Sequence, residues 1–123
     1  METPLVSKDL IVYKKYTDPF QCATNYLNEA IMTILDISDG FELKKKETID
    51  HLTKLTVRKM ILAGVDFYSI DAHGKKKPVF SIIQKLIKNA LFISLNIYES
   101  KHADKNIVIE QVVSSLIRFY SRY

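Results

Sequence analysis

Apolar residues return every three or four positions along most of this chain, and polar clusters break the pattern into four stretches. In the first, Phe20, Ala23, Leu27, Ala30, Ile31 and Ile34 share one helical face. Asp18-Pro19 opens it as N-cap and first helical residue, and Ser38-Asp39-Gly40 reads as the turn that closes it. The second stretch carries Ile49, Leu52, Leu55 (or Thr56), Met60 and Ile61, and stops at Gly64. Pro78 is expected to open the third, with Val79, Ile83, Leu86, Ala90, Ile93 and Ile97 in step. Asp104 is the N-cap expected for the last, where Val108, Val112, Leu116 and Tyr120 face one way. Glu110, Gln111, Ser114, Ser115, Arg118 and Arg122 fill its other side. Residues 1–17 show no clear period and read as a short capping turn or strand, or as a frayed end.

This pattern predicts an all-α fold, and 123 residues suffice for one domain with a real core. Hydrophobic residues make up 47% and charged ones 26%, the balance of a globular chain rather than a disordered one. No apolar run approaches membrane-spanning length, and the first residues contain no apolar signal core. Cys22 is alone and in phase with the first apolar face. It reads as a small buried hydrophobe, in a reducing intracellular setting such as cytoplasm or nucleus.

The segment between the second and third stretches, VRKMILAGVDFYSIDAHGKKKPVF from Val57 to Phe80, is dense in structural signals. Gly64 suits a left-handed helix cap, Asp71-Ala72-His73-Gly74 a tight turn, and Pro78 a restart. These spacings resemble the junction between two ankyrin repeats. Met60-Ile61 stand where that family has leucines, Gly64-Val65-Asp66 where it has glycine-alanine-aspartate, and Asp71 and Gly74 keep the distances of its hairpin finger. Lysine clusters at 14–15, 44–46 and 75–77 recur roughly every 30 residues, against about 33 for an ankyrin repeat. DPFQCATNYLNEAIMTIL is similar to a repeat body.

The resemblance implies degenerate repeats of the kind found in viral and intracellular-parasite proteins. It divides the chain into an N-terminal cap (1–17), an ankyrin-like stack (18–100) and a C-terminal capping helix (101–123). Each repeat would break into two short helices, first at Leu27-Asn28 and again within Leu86–Asn89. The apolar period alone is equally satisfied by a bundle of four unbroken helices, 19–37, 47–63, 78–98 and 104–121.

A stack of this kind implies a non-catalytic protein-interaction module, an adaptor or inhibitor that uses fingers and inner helices. The expected contact residues are Lys44, Lys45, Lys46, Tyr68, His73, Lys75, Lys76 and Lys77, with both lysine triplets along one edge facing an acidic protein surface. A bundle implies a structural or regulatory subunit, a homodimer hiding a face such as Val79/Ile83/Leu86/Ala90. The net charge of +4, from 18 Lys+Arg against 14 Asp+Glu, rests almost wholly on lysine. With arginine only at Arg58, Arg118 and Arg122, nucleic acid is not the expected partner.

Nothing in the chain is spaced for catalysis, a metal or a cofactor. His51, His73 and His102 are scattered, Cys22 has no second thiol for a zinc site, and Gly40, Gly64 and Gly74 are too far apart for a phosphate loop. Asp36/Asp39 and Asp66/Asp71 flank turns, where aspartate has local hydrogen bonds to make.

Overall fold

A computed structural model describes residues 19–40, 44–101 and 103–120. The expected cap at 1–17, and with it Asp18, His102 and Arg122, lies outside the described residues. Four helices dominate: α1 (Pro19–Gly40), α2 (Lys45–Leu62), α3 (Phe80–Lys101) and α4 (Lys105–Tyr120). A hairpin of β1 (Tyr68–Ile70) and β2 (Lys76–Pro78) joins α2 to α3. The fold is all-α.

α1 and α3 are each 22 residues long and unbroken through Leu27-Asn28 and Leu86–Asn89, so the interruptions that a two-helix repeat requires are absent. No proline or glycine sits at either point, and the apolar period holds phase across both. These are the helix lengths of the four-helix form of the expectation. Cross-helix pairs fix the directions as up, down, up, down. Glu29 of α1 meets Lys59 of α2, Lys45 of α2 meets Glu99 of α3, and Asn89 of α3 meets Tyr120 of α4. α1 and α3 therefore run parallel across the bundle diagonal and pack on each other, with α2 and α4 on either side.

The core is a single cluster. Leu27, Ile31, Ile34 and Leu35 of α1 and Ile83, Leu86, Ile87, Leu91 and Leu95 of α3 are fully buried. α2 adds Ile49 and Met60, and α4 adds Val108, Ile109, Val112 and Val113. Cys22 is buried as expected.

The expected faces hold except at their edges. Leu55, Ile61 and Ile93 are exposed, Thr56 is inside as the alternative to Leu55, and Thr53 and Ser94 are inside as well. The threonines enter cheaply because each hydroxyl donates to the carbonyl one turn back, Thr53 to Ile49 and Thr56 to Leu52, both at 2.7 Å. The Ser94 hydroxyl is buried with no partner among the described residues.

Helix ends follow local chemistry. α2 closes in a Schellman motif. The Gly64 N–H donates to the Ile61 carbonyl (3.0 Å) and the Val65 N–H to the Met60 carbonyl (3.1 Å), while Gly64 takes φ 82°. Val65 then packs into the core beside Met60. Asp104 caps α4 through Oδ1, which accepts from the Asn106 N–H at 2.8 Å.

Two expectations are corrected. Gly40 lies within the last turn of α1 rather than in a turn beyond it, and its φ is not positive. Pro78 ends β2 instead of opening α3; Val79 supplies the first helical carbonyl, to Ile83 N–H at 2.9 Å. The strand tolerates proline there because bonded pairs flank it. Phe67/Val79 and Asp71/Lys75 are joined by backbone hydrogen bonds, so in an antiparallel ladder Tyr68/Pro78 falls at a non-bonded pair.

Three substitutions test this account by urea unfolding. Gly64→Val forces a β-branched residue into the left-handed region and is expected to cost about 1–2 kcal/mol. Gly40→Ala meets no atom within 4 Å and is expected to stabilise by about 0.5 kcal/mol. Ser94→Ala, which removes an unpaired buried hydroxyl, should be neutral or stabilising. A large loss at Gly40 with none at Gly64 would reverse the assignment of the two ends.

Candidate functional site

The hairpin keeps one face that the bundle does not cover. Its loop is built by Asp71. The Asp71 Oδ1 accepts the N–H of His73 (2.9 Å) and of Lys75 (3.0 Å), and the Asp71 carbonyl accepts the Gly74 N–H at 3.0 Å. Gly74 at φ 78° then supplies the left-handed step that returns the chain into β2, a three-residue loop of the common bulged type. The base is fixed by Val79 N–H donating to the Phe67 carbonyl (2.9 Å) and by the Phe67 and Phe80 rings meeting edge to face at 5.0 Å.

Strand alternation sorts the side chains into two faces. Phe67, Ser69, Lys77 and Val79 share one; Val79 is fully buried on it and Phe67 partly so. Tyr68, Ile70, Lys76 and Pro78 share the other, which points outward. Ile70 is 72% exposed and Tyr68 47%. The Lys76 ammonium lies 5.7 Å from the Tyr68 ring centroid, a cation–π contact that fixes the lysine over the aromatic face.

The residues expected to bind a partner thus divide. Tyr68, His73, Lys75, Lys76 and Lys77 are together on the hairpin. Lys44, Lys45 and Lys46 are at the opposite end of α2, separated from the hairpin by an 18-residue helix, or about 27 Å. The two triplets do not form one strip, and Lys45 is tied to Glu99 at 2.6 Å. Ile70 was not among the expected residues. The alternation Tyr68-Ser69-Ile70, aromatic then β-branched on one face, is the strand signal that could have found it.

Titratable groups converge at the other end of the bundle. The Lys105 ammonium donates to Asp36 Oδ1 (2.8 Å) and Asp39 Oδ2 (2.5 Å), and the Tyr98 hydroxyl donates to Asp39 Oδ1 at 2.7 Å. Hydrogen bonds from Lys105 and then Tyr98 hold the Asp39 carboxyl below its ordinary 3.8. Bonds to Asp36 and Asp39 push Lys105 above its ordinary 10.5, and the bond to Asp39 pushes Tyr98 up. Every group in the cluster is partnered. It fastens α1, α3 and α4 together at the end where α4 begins. No group of three His, Cys, Asp or Glu side chains among the described residues could hold a metal ion.

Comparison with known protein families, curated proteins and solved structures finds no match to this chain. No helix among the described residues is long and apolar enough to cross a membrane.

The fastening has a pH signature. Asp39 titrates lower when folded, so its contribution is present above about pH 4 and is lost as pH falls through the folded value. Lys105 titrates higher when folded, so its contribution is complete below pH 10.5 and is lost as pH rises through the raised value. The groups are solvent-exposed and screened, so Lys105→Gln is expected to lower Tm by only about 1–3 °C at pH 7. That difference should vanish near pH 2. A gap that persists undiminished in acid would show that Lys105 acts through packing.

Proposed function

We propose that this chain is a non-catalytic protein-interaction module, an adaptor or inhibitor, that docks an acidic partner through the outer face of its hairpin. The observation that carries the reading is that face itself: Tyr68 and Ile70 stand exposed side by side, with Lys76 over the tyrosine and Lys75 at the loop end. An exposed aromatic and an exposed aliphatic on a braced hairpin offer anchors for a partner pocket, and the lysines steer encounter with carboxylates. The bracing lowers the entropy lost on docking. A reducing intracellular setting accords with a single cysteine buried in the core.

A homodimer is the second reading. The face Val79/Ile83/Leu86/Ala90 cannot serve it, because all four side chains are fully buried within one bundle. Among the exposed apolar residues, Phe92 and Ile93 of α3 offer a second copy a place to pack, beside a groove of about 520 Å³ against α4 that Ile93 and Ile97 line. Sedimentation of wild type and Ile93→Glu decides it: a monomer at every concentration removes this reading.

The hairpin reading is tested by capturing binding proteins on the wild-type chain and measuring their association rates at low and high salt. Reversing Lys75, Lys76 and Lys77 to glutamate is expected to slow association about tenfold at low salt and little at high salt. Reversing Lys44, Lys45 and Lys46, at the far end of α2, should leave the rate unchanged. Ile70→Asp should raise the dissociation rate. If the far triplet matters as much as the near one, the contact surface is not the hairpin.

A further inference from the structure

A groove of about 690 Å³ runs between α2 and α3 on the outside of the bundle. Its walls carry Lys54 from α2 and Ser81, Lys85 and Lys88 from α3. Thr53 and Ile82 lie deeper; Ile82 packs against the core, and the Thr53 hydroxyl is committed to the Ile49 carbonyl at 2.7 Å. Among the described residues one acidic side chain, Asp50, lines the groove, and it is engaged by Lys88 at 3.1 Å. Lys54 and Lys85 have no acidic partner among the described residues. The groove therefore holds two uncompensated positive charges around a partly apolar floor.

The geometry points to a docking groove for an acidic amphipathic helix of a partner protein, a site separate from the hairpin face. Three features select that occupant. The groove is open and elongated: Ser81 to Lys88 spans about 10 Å along α3, two helical turns, which suits a linear segment. Two antiparallel helices offer a trough in which a third can lay its apolar stripe, with Ile82 and the aliphatic lysine stems as the bed. The cations are all lysines, point charges on flexible stems that reach scattered carboxylates. Among the described residues no arginine lines the groove to give the planar fork that phosphates and bases favour. Ser81 follows directly on Phe80, whose ring braces Phe67 at the hairpin base, so the groove opens beside the hairpin.

Asp50 makes the idea testable in both directions. As the groove's negative charge, it opposes an acidic helix and also occupies Lys88. The probe is a fluorescein-labelled amphipathic peptide of about 18 residues, long enough to hold a helix, with leucine on one face and glutamate on the other. It is titrated into the full chain by anisotropy and followed by amide NMR shifts. Two controls accompany it: the same peptide with glutamine for glutamate, and a single-stranded oligonucleotide of equal charge.

The glutamate peptide should bind with shifts concentrated at Lys54, Ser81, Lys85 and Lys88. Lys54→Glu combined with Lys85→Glu should weaken it at least about tenfold, and Asp50→Asn should tighten it about threefold. Reversal of Lys75, Lys76 and Lys77 should leave the groove shifts in place. Circular dichroism verifies that each surface variant keeps its helices. Equal binding of the glutamine peptide, stronger binding of the oligonucleotide, shifts elsewhere, or an Asp50→Asn variant that binds no better would each overturn the proposal.

Discussion

The contact between α1 and α3 is the constraint to which the rest of the fold adjusts. Both helices are 22 residues long, run in the same direction, and supply most of the fully buried large side chains. Two parallel helices on a bundle diagonal need a chain that returns between them. α2 makes that return, and it can do so only if it stops cleanly at Leu62 and the chain reverses before Phe80. The Schellman closure at Gly64 and the hairpin beyond it are that reversal. The hairpin exists because the diagonal pair demands a turnaround, and its exposed face follows from there.

Much of this was legible because helix ends and tight turns depend on a few residues with distinctive backbone chemistry. Gly64, Asp71, Gly74 and Asp104 do what their types and spacings imply. The same point explains why the ankyrin likeness is specific only over residues 57–80. A left-handed glycine cap, an aspartate-built loop and a helix restart suit a helix–hairpin–helix junction in general, whatever lies on either side. What lies on either side here is a pair of long helices without a break, and the resemblance carries no information about that.

The lysine clusters show how a real sequence period can mislead about geometry. In a solenoid, a period near 30 residues is a translation, and equivalent positions come to rest side by side. In an up-down bundle the same length is one helix plus one connection, and the next helix runs backwards. Lys44–Lys46 and Lys75–Lys77 accordingly stand at opposite ends of α2. Helix faces were less legible than helix ends for a related reason. At the edge of a stripe two neighbouring positions can look equally suited to burial, and on α2 the choice left open between Leu55 and Thr56 went to the threonine, with Thr53 beside it. Their hydroxyls are satisfied inside their own helix, so burying them costs less than their polarity suggests.

The same reasoning accounts for where exposed apolar surface remains. A two-stranded ribbon with three residues to a strand is not stable alone. It persists here because one face is taken by the bundle, through Val79 and the Phe67–Phe80 contact, and because its loop is closed by Asp71. A ribbon has two faces, and covering one leaves the other out. Tyr68 and Ile70 could be traded for polar residues at no cost to that bracing, since neither is needed to hold the base. The fold thus explains why this face is open but does not require it to be apolar. An aliphatic side chain left 72% exposed beside an aromatic capped by lysine is surface chemistry over and above what folding demands. That surplus, set on an element held rigid from below, is the physical ground for reading the hairpin as the part of this protein that meets another.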